Sequence, residues 1–283
     1  MLWEGRRQST NVEDRRGMSV GGFAVGGGLI GVIAVVLNLL FGGGDPSNLP
    51  ELMPGQQGQQ QMPSGDQKAD DQRAEFVKVV LAETEDVWTN LFQERGKSYP
   101  EPTLVLFRDA VESGCGMASA ASGPFYCPGD HKLYVDLSFY EELQSRFNAP
   151  GDFAMAYVVA HEVGHHVQTL LGTSAKVERA RRQMNETEFN KLSVKVELQA
   201  DFYAGVWAHF ANRAKILESG DIQEALTAAN AIGDDRLQKE TQGTVVPDAF
   251  THGTSSQRMY WFKKGFDTGD IIKGDTFNDP SLN

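Results

Sequence analysis

Residues 153–170 read FAMAYVVAHEVGHHVQTL, and three of the chain's six histidines follow the first eight residues of that stretch. The first eight residues are an almost unbroken apolar run, so the spacing predicts a largely buried helix. On a helix, His161 and His165 lie one turn apart on a single face. Their ring nitrogens can then converge on one ion at about 2.0–2.1 Å. Glu162 is turned by about 100° from His161, where it can reach a water at that ion without binding the ion itself. The plainer reading is a buried helix with two hydrogen-bonded histidines. It would have to find partners for both rings and for Glu162 inside an apolar helix.

A zinc that does chemistry takes three protein ligands and keeps one position open. The next helix-like segment, Phe189–Phe210, contains Glu197-Leu-Gln-Ala-Asp201 followed by Phe-Tyr-Ala-Gly205. Glu197 can supply the third ligand. Asp201, one turn further on, can accept the outer N–H of a ligand histidine and so fix its ring. Ala200, Ala204 and Gly205 are small enough to let the two helices approach closely.

Outward from these helices the pattern is α+β. From Asp71, DQRAEFVKVVLAETEDVWTNLFQERG has Phe76, Val79, Val80, Val87 and Leu91 at helical spacing. Thr103–Phe107 (TLVLF) reads as a strand, and Pro124–Asp136 as a hairpin turning at Pro128-Gly-Asp130. The remainder to about residue 267 is mostly helical. Cys115 and Cys127, twelve apart, are the chain's two cysteines. In an extracytoplasmic domain such an isolated pair is most simply a disulfide.

The N-terminal part has a different texture. Residues 1–17 carry Arg6, Arg7, Arg15 and Arg16, and Ser19–Gly44 carries no charge. The apolar centre, Gly22–Phe41, is 20 residues long, about 30 Å as a helix, which matches a bilayer core. It ends LLFGGGDP, without a signal-peptidase-like site, so an uncleaved transmembrane helix over 18–41 is expected. Gly22/Gly26 and Gly27/Gly31 have the spacing of helix–helix contacts, which allows self-association in the bilayer. The arginines before the span, with Lys68 the first basic residue after it, place residues 1–17 in the cytoplasm as a basic tail. Residues 42–70, rich in Gly, Gln and Pro, read as a flexible linker. Residues 71–283 are then the folded domain, on the outer side of a bacterial inner membrane. The net charge of −12 argues against a nucleic-acid partner.

HEVGHHVQ at 161–168 and ELQADFYAG at 197–205 carry a resemblance. The HExxH-then-ExxxD pattern is similar to the gluzincin branch of zinc metallopeptidases, and the whole chain resembles the bacterial family of putative neutral zinc metallopeptidases. That resemblance implies a zincin-like fold, one Zn²⁺ per chain, and hydrolysis of peptide bonds in a peptide or protein substrate. It implies His161, His165 and Glu197 as zinc ligands, Glu162 as general base, and Asp201 as the carboxylate orienting His161. It also implies an edge strand that pairs with the substrate, for which Lys132–Asp136 is the candidate, and a donor to the developing oxyanion. His252 is the first choice for that donor, with Arg258 and Tyr203 as rivals. A catalytically inactive zinc-binding scaffold with the same fold is the alternative. His166 reads as structural, His209 as a packing residue, His131 as an exposed turn residue, and Glu83/Glu85/Asp86 as a solvated helix face.

Overall fold

Helix α1 (Ser64–Gln93) turns Ala74, Val77, Leu81, Trp88 and Leu91 into the core, the three-to-four spacing of an amphipathic helix. A computed structural model describes it together with the rest of residues 1–17, 64–119 and 122–282. The helix begins seven residues before the boundary expected at Asp71. The expected membrane helix over 18–41 lies outside the described residues. Among those residues, no helix is long and apolar enough to cross a membrane.

Strands β1 (Val12–Asp14), β2 (Thr103–Phe107), β5 (Phe125–Cys127) and β6 (Lys132–Asp136) form one sheet in the order β1-β2-β6-β5. The first two pairings are parallel and the last is antiparallel. Strands β3 (Ala110–Ser113) and β4 (Gly116–Ser119) make a separate hairpin. The β5–β6 hairpin turns where expected, but β6 is not the edge strand. Leu133, Tyr134 and Val135 are all buried, and β6 pairs on both sides. The edges are β1 and β5, and the one beside β6 is β5, three residues between Pro124 and Pro128, neither of which can extend a ladder as a donor. Cys115, beside the β3–β4 turn, is disulfide-bonded to Cys127 at the end of β5, with Cα atoms 5.8 Å apart.

Residues 1–17 are part of this body rather than a separate tail. Val12, Glu13 and Asp14 lie in register with Leu104, Val105 and Leu106. Trp3 sits edge-on to Phe76 at 5.5 Å. The acids read as a solvated face divide accordingly: Glu83 and Glu85 are buried beneath the N-terminal segment, and only Asp86 stays exposed.

The helical half comprises α2 (Phe139–Ser145), α3 (Asp152–Leu170), α4 (Thr173–Arg181), α5 (Glu186–Arg213), α6 (Asp221–Ala231), α7 (Asp234–Gln242) and α8 (Ser255–Thr268). α3 is the predicted apolar helix, and α5 packs between it and α8. Two glycines set the spacing. A Cβ on Gly164 would stand 2.9 Å from the carbonyl oxygen of Ala200, so α3 and α5 touch backbone to backbone there. Gly205 does the same against Phe262 of α8, not against α3 as its proximity to Glu197 suggested.

Candidate metal centre and cleft

The backbone contact at Gly164 and Ala200 brings the middle of α3 against the middle of α5, where the sequence-predicted ligands sit. His161 Nε2 lies 3.1 Å from Glu197 Oε2, and His165 Nε2 lies 3.5 Å from Glu197 Oε1. One ligand atom from each of the three residues falls within 4.8 Å of the other two. Two ligands at 2.0–2.1 Å in a tetrahedron stand about 3.3 Å apart, so the three atoms fit a zinc-sized cation. Burial disfavours charge on both imidazoles, but the facing carboxylates outweigh it, raising His161 and taking His165 to about 9. Glu197 is driven well below the usual carboxylate range by the two histidines, against the cost of burial. The site therefore draws in positive charge.

Each histidine is held from behind. His161 Nδ1 donates to Asp201 Oδ1 at 2.8 Å, as expected for an orienting carboxylate. Asp201 is fully buried and also accepts from the Tyr157 hydroxyl at 2.5 Å, Arg258 Nε at 2.8 Å and Arg258 Nη2 at 2.9 Å. Burial raises its pKa, and the charges and hydrogen bonds of Arg258 and His161 together lower it more, so it remains ionised. His165 Nδ1 faces Gln168 Oε1 at 2.9 Å, and Gln168 Nε2 donates to the carbonyl of Val196 at 2.7 Å.

Glu162 is buried beside the ligands and lines the same cleft. Burial raises its pKa, while the charges of His161 and His165 and the backbone N–H of Tyr126 act the other way. The cleft has a volume of about 750 Å³ and mostly apolar walls, including Phe125, Phe139, Phe147, Val158 and Leu237. Its rim includes β5.

Of the three oxyanion candidates, the geometry favours His252, which is half-buried and lines the cleft. Its ring Nδ1 lies 3.3 Å from Asp234 Oδ1. Asp234 Oδ2 accepts the backbone N–H groups of Thr251, His252 and Gly253 at 2.7, 2.6 and 3.0 Å. Burial lowers the pKa of His252, and the hydrogen bond and charge of Asp234 raise it further than that. Arg258 is the brace of Asp201, with Nε and Nη2 engaged there. Tyr203 is buried edge-on to Trp88 at 5.5 Å, away from the cleft lining.

The other histidines keep structural roles. His166 donates from Nε2 to the carbonyl of Pro100 at 2.7 Å and accepts the Tyr126 hydroxyl at Nδ1, tying α3 to β5. Burial lowers it to about 4, so it is neutral. His209 bonds to the carbonyl of Phe266, and His131 is exposed in its turn. A second acidic group, Asp152, Asp221 and Glu224, borders the Met1 ammonium, which lies 2.8 Å from Asp152 Oδ1. Sequence reasoning missed Asp234, Tyr157 and Gln168. Gln168 and Tyr157 carried a local signal, three residues after His165 and four before His161 on the same helix, and Asp234 carried none.

The chain is similar to the uncharacterized protein YpfJ of Escherichia coli K12, with 49% identity covering 98% of this chain and 99% of that protein. It is also similar to the uncharacterized protein Rv2575 of Mycobacterium tuberculosis H37Rv, with 44% identity over 65% of each chain. No solved structure matches it. The family model that matches spans residues 1–277, and the chain therefore belongs to the putative neutral zinc metallopeptidase family.

Proposed function

We propose that the chain is a zinc-dependent metallopeptidase with a zincin-like site, hydrolysing peptide bonds in an extended peptide or protein segment. The observation that carries this reading is the convergence of His161, His165 and Glu197, with a buried Glu162 alongside and an Asp234-oriented His252 in the same cleft. A purely structural zinc is closed by four protein ligands. Three converging ligands with an acid–base group beside them fit hydrolysis better.

A bound zinc would polarise the scissile carbonyl and lower the pKa of water to about 7. The chain's own residues supply the rest. Glu162, with its proton affinity raised by burial, takes the proton of the attacking water and passes it to the leaving amine. His252, held by Asp234 in its protonated form, donates to the carbonyl oxygen as charge develops there. The outer edge of β5, the terminal strand on this side of the sheet, pairs with an extended substrate through main-chain hydrogen bonds. The apolar walls take its side chains.

The test is zinc stoichiometry together with cleavage of a mixed fluorogenic peptide library by the full-length chain. Glu162→Gln is expected to keep one zinc and lose turnover by about 10²–10⁴-fold. Glu197→Ala is expected to lose the metal. A fully active Glu162→Gln variant would overturn the role of Glu162, and a zinc-loaded wild type that cleaves nothing would favour the scaffold reading.

A further inference from the structure

The arginines of residues 1–17 meet the acids of α1. Arg6 Nε lies 2.7 Å from Glu83 Oε1. Arg7 reaches Glu85 at 2.9 Å, Asp86 at 2.8 Å and the carbonyl of Ala82 at 2.7 Å. Arg16 reaches Asp70 at 2.7 Å. Ser9 and Asn11 add hydrogen bonds of 2.5 and 3.1 Å to Glu85. The segment then enters the sheet as β1, in parallel register with β2. The charge bias that suggested a cytoplasmic N-terminus thus has another cause: three of the four arginines pair with acids of α1, and Arg15 pairs with Glu13.

We propose that residues 1–17 are an integral strand of the folded body and share its compartment, so that they lie on the same side of any membrane as residues 64–282. A strand cannot be hydrogen-bonded to β2 through a bilayer, and that excludes a single crossing. Return to the same face by two helical passes would take about 40 apolar residues, and the sequence between 17 and 64 holds one 20-residue run followed by a polar, Pro- and Gln-rich stretch. The two ends of that intervening chain also lie close together. Arg16 is bonded to Asp70, six residues, or about 9 Å of helix, from Ser64. The matched family unit likewise includes residues 1–17. None of this depends on peptidase activity.

The experiment uses the full-length chain in spheroplasts, with Glu4→Cys and Lys239→Cys made separately at exposed positions. Each variant is treated with a membrane-impermeant maleimide before and after lysis, with labelling in detergent as the total. The expected result is that both positions label in the same fraction, whether before lysis or only after it. Labelling of one before lysis and of the other only after it would overturn the proposal. The packing is tested on the purified chain by charge reversal. Arg7→Glu is expected to lower Tm, and Arg7→Glu with Glu85→Arg to recover part of the loss. An unchanged Tm for Arg7→Glu would equally overturn it.

Discussion

A single amide decides how His165 presents itself. Gln168 has to donate to the carbonyl of Val196, so its Nε2 points there and its Oε1 must face His165. That oxygen can only accept, which puts the imidazole proton on Nδ1 and leaves the Nε2 lone pair facing Glu197. Val196 is the residue before Glu197, so this one side chain ties the orientation of His165 to the helix that carries Glu197. A carboxylate could accept from His165 but could not donate to Val196. Gln168→Leu is therefore expected to weaken zinc binding by about 10–100-fold, measured by competition with a chromophoric chelator, and Gln168→Glu is expected not to restore it. Unchanged affinity in the leucine variant would remove Gln168 from the site. The Asp234–His252 pair makes a prediction of opposite character, in pH. His252 has a raised pKa, so the pair is fully formed below the ordinary histidine value of about 6.5 and is lost as pH rises through the raised one. Activity that needs a protonated His252 declines over the same range. In Asp234→Asn, burial is no longer opposed by the carboxylate, and the basic limb of the kcat profile is expected to move to lower pH. A limb that stays in place would mean that His252 is not the donor.

At the scale of elements, the candidate metal centre is a helix crossing. His161 and His165 are fixed relative to each other by α3 alone, and Glu197 and Asp201 by α5 alone. Their meeting depends on how closely the two axes pass. Gly164 sets that distance, because it lies between His161 and His165 and its Cα faces Ala200. A methyl group there would meet backbone rather than a flexible side chain, so α3 and α5 have to separate by a few tenths of an ångström. Gly164→Ala is expected to cost about 1–3 kcal/mol of stability and to reduce zinc affinity, even though alanine is the better helix former. Thermal melts with and without zinc check both effects. A variant as stable as wild type with full affinity would show that the crossing tolerates the methyl. The edge strand depends on its neighbours in the same way. β5 is three residues long and is held by β6, by the Tyr126–His166 contact and by the Cys115–Cys127 disulfide. Those attachments hold its outer edge beside Glu162, toward which the backbone N–H of Tyr126 is directed.

At the scale of the whole molecule, the parts legible in the sequence were those set by local periodicity. The i, i+4 spacing within α3 and within α5 picked out the residues that the structure brings together, and the cysteine pair identified the disulfide. The illegible parts join residues far apart in the chain. Asp234 reaches His252 from eighteen residues away across a helix and a loop, with no motif to announce it. Strand β6 looked like an edge because its hairpin partner was visible and its parallel partner β2 was not. The contacts of the N-terminal segment were the least legible, since four arginines before an apolar run carry the same sequence signal whether they face a cytoplasm or the acids of α1. That difference has a thermodynamic signature. Removing residues 1–17 would expose the outer edge of β2, uncover Phe76 where Trp3 packs, and strip Glu85 of Arg7, Ser9 and Asn11. The lost burial of Met1, Trp3 and Val12 alone corresponds to about 3–5 kcal/mol, on the order of 10 °C in Tm for a body of this size. A chain beginning at Ser64 is therefore expected to melt well below the full-length protein, and to expose a sheet edge open to aggregation. If the two melt together in calorimetry, residues 1–17 are a free tail after all, and the membrane-spanning reading of the apolar run regains its footing.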